Sequence, residues 1–139
     1  MAVNVQFAVA VHVMAGLAAG CGQDMTSARL ARSVNTSPSF VRRVLAKLSK
    51  AGLIQTATGK AGSCWLGKDA RNISLRDIYA AVGAPPVFAV HTYREQKECS
   101  VSCHIKAALD HALEKSQQAM EESLAEISLA QIVREMKKG

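Results

Sequence analysis

The chain has 139 residues, a formal net charge of +6 and an aromatic content of 4%. This length is that of one domain with room for a hydrophobic core, so it excludes an assembly of several large domains. The positive charge favours a nucleic acid or another anionic partner, and the low aromatic content is typical of a helical protein.

The first 19 residues are strongly apolar, so a buried helix, a signal peptide and a membrane span compete. A signal peptide carries positive charge before its apolar run, and no lysine or arginine precedes Arg29. A span needs about 20 nearly uninterrupted apolar residues, whereas Asn4, Gln6 and His12 interrupt this run. We therefore predict a core helix over residues 5–19 in a cytoplasmic protein without a membrane partner.

A short second helix is predicted over residues 26–34. Thr26 or Ser27 can be its N-cap, since a side-chain hydroxyl satisfies the free amide groups of a first turn. Asn35 and Thr36 then form a tight turn before the next helix.

The third helix is predicted over residues 38–51 and has the clearest end signals of the chain. Ser37 is an N-cap, Pro38 occupies the first helical position, and Gly52 ends the helix. At 100° per residue one face is apolar and formed by Phe40, Val41, Val44, Leu45 and Leu48. The opposite face is basic and formed by Ser39, Arg42, Arg43, Ala46, Lys47 and Lys50.

Two extended runs follow, over residues 53–56 and 64–66, joined by a loop in which Gly59 and Gly62 supply positive φ angles. Lys60 stands at the tip of this hairpin. A helix-turn-helix followed by such a hairpin is a winged helix. The fold class is therefore mainly α with a small β-hairpin wing.

Seven basic residues and no acidic residue lie between Thr26 and Lys60. A lone basic helix face is most often ordinary solvated surface. Here the short second helix, the turn and the hairpin favour the interpretation that the third helix is a recognition helix, which enters the major groove of double-stranded DNA.

A short helix is predicted over residues 75–82, with Ser74 and Asp77 at capping-box spacing, and a linker over residues 84–98 follows it. The last helix is predicted over residues 129–137, with Ser128 as its cap.

Cys99 and Cys103 lie four residues apart near a predicted helix start. Thiolates bind zinc or iron–sulfur clusters, and a thiolate near a helix N-terminus is stabilised by the amide dipoles, which favours redox sensing. Two reduced cysteines without a role are an equally open interpretation. No metal site is predicted.

The longest helix is predicted over residues 105–127. Little other chain is available to cover both of its sides, so we predict that it pairs with its copy in a homodimer. Its seam of small and apolar residues contains Ile105, Leu109, Ala112, Ser116, Ala119, Ser123 and Ile127.

The chain resembles the Rrf2 family of bacterial winged-helix transcription regulators, to which IscR, NsrR and CymR belong. The resemblance lies in SPSFVRRVLAKLSKAGLIQTATGKAGSCWL and NISLRDIYAAVGA, and extends to FAVAVHVMAGLA and ISLAQIV. The family pattern is kept at Ser37, Leu45, Leu48, Ala51, Gly52, Leu53, Gly59 and Gly62.

The wing departs from the family pattern, with Thr58 in place of arginine, Ser63 in place of glycine and Cys64 in place of an aromatic residue. The family's minor-groove arginine therefore has no counterpart here, and Lys60 is left as the expected wing contact.

The resemblance implies a dimer in which the long helix crosses its twin. Cluster-bearing members have three cysteines in the region where this chain has Cys99 and Cys103, and other members work without a cluster. We therefore expect no cofactor, keep an iron–sulfur cluster as an alternative, and rank a direct thiol switch above it.

We thus predict a homodimeric repressor of a palindromic operator, with residues 1–83 as its DNA-binding domain, residues 84–98 as a linker, and residues 99–139 for dimerisation and packing. Arg42 and Arg43 would read bases, and Lys47, Lys50 and Lys60 would hold phosphates. Other contacts are expected from Thr26, Ser27, Ser37 and Ser39.

Two other classes remain open at this point. An enzyme would use Cys103 as its nucleophile, but no phosphate loop or paired catalytic carboxylates accompany it. A protein-binding adaptor would not need the acid-free basic segment. The sequence does not identify a small-molecule effector.

Overall fold

The computed structural model describes residues 5–19, 25–57 and 62–139. Lys60, together with Thr58 and Gly59 of the predicted wing loop, lies outside the described residues. The elements in chain order are α1 (Gln6–Ala18), α2 (Ser27–Val34), α3 (Pro38–Lys50), β1 (Ile54–Thr56), β2 (Cys64–Leu66), a 3-10 turn (Ala70–Asn72), α4 (Leu75–Ala81), α5 (Ser100–Ala125) and α6 (Leu129–Lys138).

The core joins the first four helices, the hairpin and the last helix. Met14, Leu30, Leu48, Ile78 and Leu129 are fully buried and come from α1, α2, α3, α4 and α6. Each such side chain contributes about 1.5–3 kcal/mol relative to its exposed state. Because α6 packs on α1, the first and the last helix in the described chain belong to the same core.

The predicted helix caps are confirmed. Ser37 accepts a hydrogen bond from the Phe40 amide, and Ser74 and Ser128 form reciprocal capping boxes. Asn35 has φ 68°, the left-handed conformation that short polar residues tolerate best after glycine. This angle reverses the chain between α2 and α3 within three residues.

The hairpin is antiparallel, with Ile54 opposite Leu66 and Thr56 opposite Cys64. An isolated bridge between Thr26 and Ser63 joins the hairpin to the start of α2. At Gly67 a Cβ atom would lie 2.7 Å from the Gly52 carbonyl oxygen, so only glycine fits there. The hairpin is thereby held against both helices of the helix-turn-helix.

The long helix α5 begins earlier than predicted. It starts at Ser100 instead of residue 105, because Cys99 acts as the N-cap and its sulfur accepts the Ser102 amide at 3.5 Å. No residue of α5 is buried. Within the described ranges, no strand forms between α4 and α5, and no helix is long and apolar enough to cross a membrane.

Candidate DNA-binding surface

The two faces of α3 have the predicted roles in packing and exposure. Val41, Val44, Leu45 and Leu48 are buried and anchor the helix in the core. The opposite face is exposed and consists of Ser39, Arg42, Arg43, Ala46, Lys47 and Lys50. A cationic helix face is therefore presented outward on a rigid support.

The hydroxyl groups predicted to contact DNA also hold the helix ends. Ser37 Oγ lies 3.2 Å from the Phe40 amide and 3.4 Å from Ser39 Oγ. Thr26 Oγ1 accepts the Arg29 amide at 3.2 Å. A hydroxyl has a second lone pair and a proton besides its capping bond, so each can also contact a phosphate oxygen.

Arg43 is placed over an aromatic ring. Its guanidinium carbon lies 5.4 Å from the centroid of Phe40, one turn earlier on the same helix. A cation over a ring face is attracted by the ring quadrupole, and the contact limits the freedom of a long side chain. Arg43 is thus partly preorganised at the N-terminal half of α3.

Lys47 has a contact that the sequence did not predict. Its Nζ donates to the carbonyl oxygen of Val82 at 3.4 Å, at the C-terminal end of α4. A lysine favours this position because a helix C-terminus carries partial negative charge. The partner is a backbone group 35 residues away, so no local sequence signal could have found it.

A cleft of about 550 Å³ separates α3 from the hairpin. It brings together residues of α2, α3 and both sides of the hairpin loop: Ser27, Arg42, Leu45, Ala46, Ser49, Lys50, Thr56 and Gly62. Ser27, Arg42 and Lys50 of the predicted set therefore share one surface. The position of Lys60 relative to this surface lies outside the described residues.

The outer hairpin face presents an aromatic residue that sequence reasoning missed. Trp65 is 47% exposed, and its Nε1 donates to Gln55 Oε1 across the strand pair at 3.1 Å. Successive side chains of a strand point to opposite faces. With Cys64 buried, this alternation would have predicted that Trp65 is exposed.

The three cysteines that the structure describes fall into two different environments. Cys99 is exposed at the start of α5, and Cys103 Sγ lies 3.5 Å from the Gln96 carbonyl oxygen. Cys64 is in the core, where burial raises the pKa of its thiol. Cys64 is therefore poorly suited to redox chemistry, and the surface pair is better placed.

An iron–sulfur cluster does not fit the side chains that the structure describes. Such a cluster needs four ligands, mostly thiolates. Within residues 5–19, 25–57 and 62–139, no group of three or more His, Cys, Asp or Glu side chains could hold a metal ion.

A basic helix on a buried support, beside a tethered hairpin, defines a winged-helix DNA-binding protein. The family model for Rrf2, described as an iron-dependent transcriptional regulator, matches residues 3–135. The chain belongs to the Rrf2 family, as the sequence resemblance predicted. It is a transcription regulator and not an enzyme.

Similar proteins agree with this membership. The chain is 37% identical over 132 residues to YwnA of Bacillus subtilis (strain 168), named as an HTH-type transcriptional regulator, with 94% of this chain and 96% of that protein covered. A crystal structure described as a DNA-binding protein has 34% identity and a TM-score of 0.73, with 91% and 97% covered.

A more distant structure shows the same fold. CymR, the global cysteine regulator of B. subtilis, has 18% identity and a TM-score of 0.67, with 96% of this chain and 97% of that chain covered.

Proposed function

We propose that this regulator is a cytoplasmic homodimer that represses transcription by binding an inverted-repeat operator. The observation that carries the proposal is the exposed cationic face of α3 beside the tethered hairpin. Residues 1–83 would form the DNA-binding unit, the segment 84–98 the linker, and residues 99–139 the dimerisation and packing unit. Rrf2 regulators bind DNA and are typically dimeric, which supports both parts.

The exposure of α5 supports the homodimer. The helix has 26 residues, which corresponds to about 39 Å, and none of them is buried. The seam predicted from sequence stays half-buried or exposed, with Ala112, Ser116, Ala119 and Ser123 exposed. Small residues let two helix backbones approach closely. A second copy of α5, crossing the first, would bury this seam.

The DNA contacts divide into base readers and phosphate contacts. Arg42 and Arg43 are proposed to read bases, because a guanidinium can pair bidentately with guanine in the major groove. Lys47, Lys50 and Lys60 would hold phosphates, and Lys47 would also keep its bond to Val82. The hydroxyl-bearing residues at the two helix starts would add contacts to the backbone or nearby bases: Thr26, Ser27, Ser37 and Ser39.

Selection of binding sites from random duplexes tests this function. The dimeric protein should enrich an inverted repeat whose half-site centres lie about one helical turn apart, near 10 base pairs. The enriched duplex should bind at least about 1,000-fold more tightly than a scrambled duplex at the same salt concentration. Equal binding to both duplexes would contradict a sequence-specific regulator, and failure to bind either duplex at low salt would favour a protein-binding adaptor.

A thiol switch at Cys99 and Cys103 is a second proposal, supported by the placement of both sulfurs at the entry of α5. Hydrogen peroxide would take two electrons and two protons from the two thiols, which form a disulfide while the peroxide becomes two water molecules. The start of α5 would have to adjust, because Cys99 is its cap. Such a change would alter operator affinity.

Operator affinity before and after peroxide treatment tests the switch. The native chain should change affinity reversibly, with recovery after dithiothreitol, and Cys99→Ser should show no change. Cys64→Ser is the matched control and should behave as the native chain does. A native response that persists in Cys99→Ser would rule out this pair.

A further inference from the structure

A second cleft lies between the linker (residues 84–98) and α5. It shares no lining residue with the cleft between α3 and the hairpin. Its volume is about 470 Å³. Its apolar part is formed by Pro86 and Phe88 of the linker and by Leu113 of α5. Phe88 is 62% exposed, so a large aromatic ring is available to a ligand.

The polar part of this cleft is strongly acidic. Asp110, Glu114 and Glu121 line it along successive turns of α5, with Gln117 and Gln118 between them. One guanidinium, that of Arg76, lies 4.0 Å from a carboxylate oxygen of Glu121. The local charge is therefore negative in a chain whose net charge is +6.

We propose that this cleft binds an organic cation with an apolar body, such as an aryl-alkyl ammonium ion, and that this ligand is the effector of the proposed regulator. A carboxylate accepts charge-assisted hydrogen bonds from an ammonium group. An aromatic face attracts the same cation, and the apolar walls cover its hydrocarbon part. The cleft thus combines the three features that such a ligand requires.

The cleft and the proposed dimer seam lie on different sides of α5. At 100° per residue, the cleft residues and the seam residues are centred roughly 150° apart around the helix axis. Ala112 and Ala119 of the seam are absent from the cleft lining. A second copy of α5 on the seam would therefore leave the cleft open.

Hydrogen bonds connect the cleft with the DNA-binding half. Gln117 Oε1 accepts the Val87 amide at 3.1 Å, and Gln117 Nε2 donates to the Tyr79 hydroxyl at 2.9 Å. That hydroxyl donates to the Pro85 carbonyl oxygen at 2.6 Å. Tyr79 belongs to α4, and the carbonyl oxygen of Val82, the C-cap residue of α4, accepts a hydrogen bond from the Lys47 ammonium group of α3. A ligand beside Gln117 would contact the first member of this chain of bonds.

Calorimetric titration with three matched probes tests the ligand class, in the absence of DNA. The probes are 4-phenylbutylammonium, 4-phenylbutanol and 5-phenylpentanoate, which share a phenylbutyl body and differ in charge. We expect the ammonium ion to bind at least tenfold more tightly than the alcohol, and the carboxylate to bind most weakly. Equal affinity for the ammonium ion and the alcohol, or no heat from any probe, would overturn the proposal.

Two variants locate the binding. Asp110→Asn combined with Glu114→Gln removes two charges from the cleft and should weaken the ammonium ion about tenfold. Glu122→Gln removes an exposed charge of the same helix outside the cleft lining and should leave the affinity unchanged. Circular dichroism confirms that each variant is folded. An equal effect of both variants would place the cation elsewhere.

The effector role rests on the proposed function and has a separate readout. Saturating 4-phenylbutylammonium should shift the affinity for the selected duplex at least threefold, and the double variant should lose the shift. Binding of the cation with unchanged DNA affinity would overturn the effector role alone. Failure of the chain to select any duplex would instead contradict the proposed function, since the calorimetry does not depend on DNA.

Discussion

The recognition helix α3 and the long helix α5 differ in how each is stabilised within one chain. Four side chains of α3 are buried in the core, whereas no residue of α5 is buried. In proteins most helical stability comes from packing rather than from propensity, and within this chain α5 packs on α4 and contributes the partly buried Leu124 to the core. Contacts within one chain therefore hold the basic face of α3 in place, whereas the seam of α5 stays uncovered in a single chain, as the proposed homodimer requires.

The largest expected effect comes from placing a charge on the seam. Ala112→Glu would bury an unpaired carboxylate against the partner helix, which costs several kcal/mol. We expect the dimer dissociation constant to rise at least about 100-fold, measured by sedimentation equilibrium. Ala107→Glu, an exposed position off the seam, is the control. Equal dissociation of both variants would move the interface away from Ala112.

A smaller effect is expected from Arg43, which is proposed to read a base. Arg43→Ala should lose about 1–3 kcal/mol on the selected duplex, because a bidentate pair with guanine disappears, and much less on a scrambled duplex. Fluorescence anisotropy at constant salt measures both values. Arg134→Ala, which removes an exposed charge from α6, controls for net charge. Equal losses on both duplexes would reject base reading by Arg43.

Lys47 and Lys50 are compared because both are proposed to hold phosphates, and Lys47 also donates to the Val82 carbonyl oxygen. Each Lys→Ala variant should reduce the slope of log affinity against log salt by about 0.9, the value for one phosphate contact. Only Lys47→Ala should also lower the free energy of unfolding, by about 1 kcal/mol, since it alone loses the bond to Val82. An unchanged slope would remove that lysine from the phosphate contacts.

The smallest effect is expected at Asp69, which lies outside both helices of the comparison. Hydrogen bonds from Arg71 lower the pKa of Asp69 to about 2. Because the folded-state pKa is depressed, the stabilising contribution is present above the usual aspartate pKa and is lost as the pH falls through about 2. Asp69→Asn should therefore differ from the native chain at neutral pH and converge with it in acid. A gap that is independent of pH would contradict this.

Features determined by neighbouring residues were predictable from the sequence. The caps at Ser37, Ser74 and Ser128 depend on residues three positions away, and the two faces of α3 follow from helical periodicity alone. Cap prediction was incomplete at α5, because cysteine is an unusual cap and its bond to the Ser102 amide moved the helix start. The predicted family was confirmed by the match over residues 3–135.

Features that depend on distant residues were not predictable. The bonds from Lys47 to Val82 and from Gln117 to Tyr79 join residues 35 and 38 positions apart. Both use backbone or amide groups that have no distinctive spacing in the sequence. The acidic cleft was not predictable either. Its carboxylates follow helical spacing, but the path of the linker determines that Phe88 lies beside them.

The stoichiometry of the protein–DNA complex tests the central claim most directly. Sedimentation velocity on the selected duplex should give a complex with two chains per duplex, formed without a detectable one-chain species. Ala112→Glu should shift the complex to one weakly bound chain, because the recognition helices are no longer paired. A native complex with one chain per duplex, or a variant that binds as two chains with native affinity, would contradict the account.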